Sequence, residues 1–137
     1  MSQLKLLWDA KGTNGRNRIR SWADSARLSS RDRAALNHRF HMLESMDYDL
    51  AIGTKVLNGP LKRTKGIYKL KAFGDHALRP MLCLGPVDAA GEYTILEGAT
   101  EPNTGSIIPS DVQDRAIKTR DYVKAAPAAR RQAHEHF

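Results

Sequence analysis

The chain has 137 residues, a formal charge of +7 and a hydrophobic content of 41%. That length suits one domain with an ordinary core, and that apolar content excludes a disordered chain. The surplus of Lys and Arg points to negatively charged partners, while a single cysteine, Cys83, excludes an internal disulfide and a cysteine-based zinc site.

Leu4–Trp8 reads as a short strand, and the Lys11–Arg18 stretch as a basic loop with two glycines. Ile19, Trp22, Ala23 and Ala26 recur at helical spacing and predict a short helix from Ile19 to about Arg27. Ser29 and Ser30 supply an N-cap for a longer helix running to about Met46, and Asp32 suits the positive end of its dipole. Leu36, Phe40 and Leu43 form its apolar stripe, so the two helices make a hairpin with one shared seam. Residues 49–64 read as connection, with Gly53 and the Asn58-Gly59-Pro60 turn around a short Lys55-Val56-Leu57 segment.

The next strand is the most informative part of the chain. Alternation puts Tyr68, Leu70 and Ala72 on one face and Ile67, Lys69, Lys71 and Phe73 on the other. Gly74-Asp75-His76 reads as a turn, with His76 solvated at its tip, and the return strand through Leu84 brings Arg79 back towards the lysines. Three cations on one sheet face repel one another, which makes sense where a polyanion sits between them. The same lysine alternation also guards an edge strand against aggregation. Pro80 lacks an N–H and places an edge or a bulge beside Arg79.

Tyr93–Ala99 is the next strand and Glu101–Gly105 a loop. Ser110 caps a helix from Asp111 to about Ala126, with Val112, Ala116, Ile117 and Val123 inward and Arg115, Lys118 and Arg120 outward. Pro127 interrupts it, leaving residues 127–137 as a tail that continues helical or frays, its His134 and His136 without partners. The fold class is therefore α+β: an N-terminal helix hairpin packed on a small, mainly antiparallel sheet, with a C-terminal helix, in one domain over residues 1–126.

Charge is segregated along this layout. Residues 1–40 carry nine Lys/Arg against three acids, residues 54–80 seven against Asp75 alone, and residues 88–111 five acids with no Lys or Arg. Such asymmetry implies a basic working face and an acidic back. No signal peptide or membrane-length apolar run is visible, which makes the cytoplasm the expected compartment and a membrane an unexpected partner.

Several runs together resemble the RelE/HigB/ParE superfamily of small toxins, in particular its phage-derived, HigB-like members. Ser21-Trp22-Ala23 with Leu36–Glu44 is similar to the paired helices, and Lys55–Leu61 to the lead-in to the active strands. Gly66–Lys71 with Leu78-Arg79 is similar to the strand pair that carries the active site. Tyr93–Thr100 and Ser110–Arg120 are similar to the closing strand and helix, so the likeness spans residues 19–125. It implies a toxin of a type II toxin–antitoxin system, or a phage-borne equivalent, acting as a ribosome-dependent mRNA endoribonuclease. Its partners would be mRNA, the ribosome and, where one exists, a cognate antitoxin; neither a cofactor nor a metal is implied.

By the same resemblance Lys69, Lys71 and Arg79 are the catalytic positions, and Lys55, Lys62, Arg63 and Lys65 guide RNA phosphates. Attack of a 2'-hydroxyl on the adjacent phosphate needs a proton acceptor, stabilisation of a dianionic phosphorane and help for the departing 5'-oxygen. Lys69 and Lys71 can share the first and third roles, because clustered cations favour a neutral amine, and Arg79 would clamp the phosphate. Nuclease members carry a further basic residue after the last strand, whereas Gly98–Pro102 has none. Glu101 is then either the proton acceptor or a plain loop carboxylate. The alternative is a non-catalytic RelE-fold protein that binds gyrase, another host target or nucleic acid.

Overall fold

The computed structural model describes residues 4–102 and 105–137. In chain order these form β1 (Leu6–Ala10), α1 (Arg18–Ser25), α2 (Ser30–Glu44), α3 (Tyr48–Gly53), β2 (Leu57–Asn58), β3 (Tyr68–Leu70), β4 (Ala72–Phe73), β5 (Ala77–Leu78), β6 (Met81–Leu84), β7 (Glu92–Glu97), α4 (Val112–Ala125), α5 (Pro127–Arg130) and β8 (Arg131–Ala133). Part of the expected 101–105 loop, at positions 103 and 104, lies outside the described residues. Among the described residues no helix is long and apolar enough to cross a membrane.

Six strands make one sheet in the order β2-β3-β6-β7-β1-β8, and β4 pairs with β5 as a small hairpin beyond the β3–β6 pair. Neighbours are antiparallel except β1 and β7, which run parallel, so the architecture is α+β with a mainly antiparallel sheet. β1 thus stands beside a strand more than eighty residues later, after three helices and five strands have intervened.

Local signals explain the helices. Ser29 and Asp32 form a complete capping box at the start of α2, each side chain taking the other's backbone N–H. Leu36, Phe40 and Leu43 are fully buried on the sheet, each contributing roughly 1.5–3 kcal/mol of burial. With Ile19 and Ala23 of α1 they form a core over one sheet face, against Tyr68, Leu70, Tyr93 and Ile95. Val112, Ala116 and Val123 of α4 close the opposite face against Met81, Cys83 and Leu96. β7 runs between the two layers and is buried along its whole length. Burial pushes the Cys83 thiol up to about 12, which fits a filler residue.

Two elements depart from expectation. The 49–64 connection contains α3, begun by Asp47, whose side chain accepts from Leu50 N. The expected tail is built into the sheet: after α5, β8 adds antiparallel to β1, with Ala10 opposite Arg131 and Trp8 opposite Ala133. Polar contacts rather than apolar alternation seat it, which is why its Ala/Arg composition does not read as a strand. Arg131 bonds Glu92 at 2.6 Å and lies 4.3 Å over the Trp8 ring. His134 Nδ1 is 2.8 Å from Asp9 Oδ1, and Phe137 stacks on Phe40.

Candidate active site

The β3–β6 ladder sets the face on which each candidate side chain stands. Tyr68 is opposite Leu82 and Lys69 opposite Met81, and the small hairpin continues the count with Ala72 opposite Leu78 and Phe73 opposite Ala77. Lys71 therefore falls opposite Arg79, on the face shared by Lys69 and Met81. Met81 belongs to the core under α4, so this is the α4 side of the sheet. Since α4 packs on β1, β6 and β7, the stretch of β3 bearing Lys69 and Lys71 stays outside its cover, and both lysines are half-buried. The bulge expected beside Arg79 falls next to Pro80: the register with β7 shifts between Met81 and Leu82, while Leu70 N still bonds Pro80 O at 2.9 Å.

Arg79 is held differently from a free phosphate clamp. Its Nε donates to Glu101 Oε2 at 2.7 Å, its Nη1 donates to Leu78 O at 2.9 Å, and its guanidinium carbon lies 5.1 Å from the Phe73 ring centre. The side chain is 8% exposed, against 29% for Glu101. The pair is built by the backbone, because residues 77–79 bond to residues 99–101 through Arg79 N to Ala99 O and Glu101 N to Ala77 O. Glu101 is thereby the more accessible partner, and its other carboxylate oxygen, Oε1, takes no donor from among the described residues. Arg79 orients it.

His76 is bonded rather than merely solvated. Its backbone N–H and its Nδ1 both reach the buried Asp32 carboxylate, at 2.9 and 2.7 Å. The hydrogen bond to Asp32 raises the His76 pKa above its ordinary value. Burial pushes Asp32 up, but hydrogen bonds from the His76 ring and backbone and from Ser29 outweigh it and leave its pKa lowered. Gly74 lets the hairpin come this close, since a Cβ there would lie 2.6 Å from Asp32 Cα. A cavity of about 270 Å³ beside the hairpin is lined by His76, Asp75, Thr100, Glu101 and Ile108. The Asp32–His76 pair escapes a reading of the sequence because 44 residues separate its members and Asp32 already has a local role as a cap residue.

The other basic candidates stand elsewhere. Lys62, Arg63 and Lys65 precede β3, at the end opposite Lys71. They are exposed on a loop whose Thr64 is buried and whose Thr64 and Lys65 carbonyls accept from Arg120 of α4, at 3.1 and 2.6 Å. Arg63 and Lys65 have φ of 64° and 54°, a left-handed geometry costing on the order of 1 kcal/mol per residue that turns the chain tightly around Thr64. Lys55 shares that geometry after α3 and is linked to Lys69 through Asn58, whose Nδ2 donates to both carbonyls.

Charge segregation in the sequence is cancelled in space. Glu92 pairs with Arg131, Glu97 with Arg18, Glu101 with Arg79 and Asp111 with Arg115. Four of the five acids in the acidic stretch thus serve as counter-ions for arginines.

No protein-family model, curated protein or solved structure matches this chain.

Proposed function

We propose that the protein is an endoribonuclease with a RelE-like arrangement, acting on mRNA at the rim formed by Lys69, Lys71, Arg79 and Glu101. The observation that carries this reading is the Arg79–Glu101 pair, a partly exposed carboxylate fixed by an arginine whose register puts it opposite Lys71, on the strand face that also bears Lys69. The helix pair on one face and the closing helix on the other support the likeness in fold.

In this reading Glu101 takes the proton of the 2'-hydroxyl, held in place by Arg79 Nε. The 2'-oxygen attacks phosphorus, and the P–O5' bond breaks. Lys71 balances the charge gathering on the phosphorane oxygens, and Lys69 gives a proton to the departing 5'-oxygen. The products are a 2',3'-cyclic phosphate and a 5'-hydroxyl. Lys55, Lys62, Arg63 and Lys65 hold flanking phosphates without reading bases, on the ribosome or on free mRNA. A cytoplasmic toxin controlled by an antitoxin is the setting this chemistry suits.

A second reading is favoured by the enclosure of Arg79: with its guanidinium taken up by Glu101, Leu78 O and the Phe73 ring, the surface also suits a non-catalytic binder. Cell-free translation with mapping of mRNA ends separates the two. The endoribonuclease produces new ends, and Glu101→Gln or Lys71→Ala lowers their yield about a hundredfold. Inhibition of translation with intact mRNA establishes the binder instead.

A further inference from the structure

A second cationic site lies at the same end of the sheet. β1 and β7 run parallel, so the loop after β1, residues 11–17, and the loop after β7 leave side by side. α4 follows the second loop and packs back across the same strands. Between the first loop and α4 is a cavity of about 180 Å³, lined by Thr13, Arg18, Arg115, Lys118, Thr119 and Tyr122 beside the backbone of Gly12. Three cations and three hydroxyls line it, and among the described residues no carboxylate does.

Each cation keeps capacity for a ligand. Arg18 is gripped by Glu97 through Nε and Nη2, which fixes its direction and leaves Nη1 towards the loop. Thr119 Oγ1 also donates to Glu97, at 3.2 Å, which leaves the Thr13 and Tyr122 hydroxyls to donate into the cavity. Arg115 uses Nε on Asp111 and is half exposed, and Lys118 stands exposed on α4. Gly12 is required here, because a Cβ would come within 2.9 Å of Arg18 Cδ and push the guanidinium aside.

We infer that this cavity binds one backbone phosphate of a single-stranded RNA. A compact space with cations, hydroxyls and no acid suits a phosphodiester and excludes a base that needs acceptors. Its place fits as well: it lies beside α4, on the side of the sheet on which Lys71 and Arg79 stand, and β1 is three strands from β3, the strand that Lys71 follows, roughly 14 Å across the sheet. RNA with its reacting phosphate at Lys71 can lay a phosphate two or three nucleotides away here. The inference rests on the endoribonuclease reading for the identity of its ligand, while binding and cleavage are measured separately.

The test is fluorescence anisotropy with a 2'-O-methyl RNA 12-mer, which binds but cannot be cut, across a salt series. Arg115→Ala/Lys118→Ala should weaken binding at least tenfold at low salt. It should also make the log K against log salt slope shallower by about 0.7 for each phosphate that is no longer neutralised. Arg27→Ala, on the opposite side, should leave both unchanged, with circular dichroism confirming that each variant is folded. A slope and affinity unaltered in the double variant overturn the site, as does failure of the wild type to bind. Binding that follows this pattern in a protein unable to cleave normal RNA upholds the site and overturns the endoribonuclease reading alone.

Discussion

Asp32 shows how one side chain serves two levels of structure. It completes the capping box of α2 and receives both the backbone N–H and the ring of His76. The sign of its pH dependence follows from the two shifts. A raised His76 contributes stability that is complete below the ordinary histidine value, about 6.5, and is lost as pH rises through its folded value. A lowered Asp32 contributes above the ordinary carboxylate value, about 3.9, and its part is lost as pH falls through the folded value. The pair is therefore worth most between the two. Thermal melts of wild type and His76→Gln should differ most at about pH 5.5, with the wild type more stable, and converge by about pH 8.5. A gap that widens with rising pH would refute the pair. Arg79 and Glu101 teach a related lesson at the same scale: a cation expected to meet substrate spends Nε on Glu101 and an Nη1 donor on Leu78 O.

Among the elements, legibility tracks the range of the signal. The start of α2, its Leu36, Phe40 and Leu43 stripe and the facing of Lys69, Lys71 and Arg79 are readable, because caps, helical periodicity and strand alternation are local. β8 is not, because its place depends on Arg131 meeting Glu92 and on His134 meeting Asp9, 125 residues away. Nor is the pairing of residues 77–79 with 99–101, which turns Glu101 from a loop carboxylate into the partner of Arg79. Gly74 is what lets the β4–β5 hairpin come so close to the start of α2. Gly74→Ala should cost about 1–3 kcal/mol in urea unfolding, since the added methyl meets the Asp32 backbone rather than a yielding side chain. It should also abolish the pH difference between wild type and His76→Gln, because the hairpin no longer seats on the helix. An unchanged midpoint would show that the hairpin is not held against α2 in this way.

For the molecule as a whole, α4 decides which part of the sheet stays open to the proposed endoribonuclease chemistry. It covers β1, β6 and β7 and leaves the Lys69–Lys71 stretch of β3 open, while Arg120 fixes the basic 62–65 loop to its flank. The four arginine–carboxylate pairs tie the acidic stretch to the rest of the fold, so the +7 surplus is carried mainly by lysines and unpaired arginines on the outside. That distribution suits a polyanion bound along one side, and the proposed endoribonuclease would act at the rim where Arg79 holds Glu101. The most direct measurement is the chemistry of the RNA ends made by the purified protein, with and without ribosomes. A nuclease working through Glu101 leaves a 2',3'-cyclic phosphate and a 5'-hydroxyl, both lost in Glu101→Gln while RNA binding persists. Cleavage undiminished in Glu101→Gln, or ends bearing a 5'-phosphate, would contradict that mechanism.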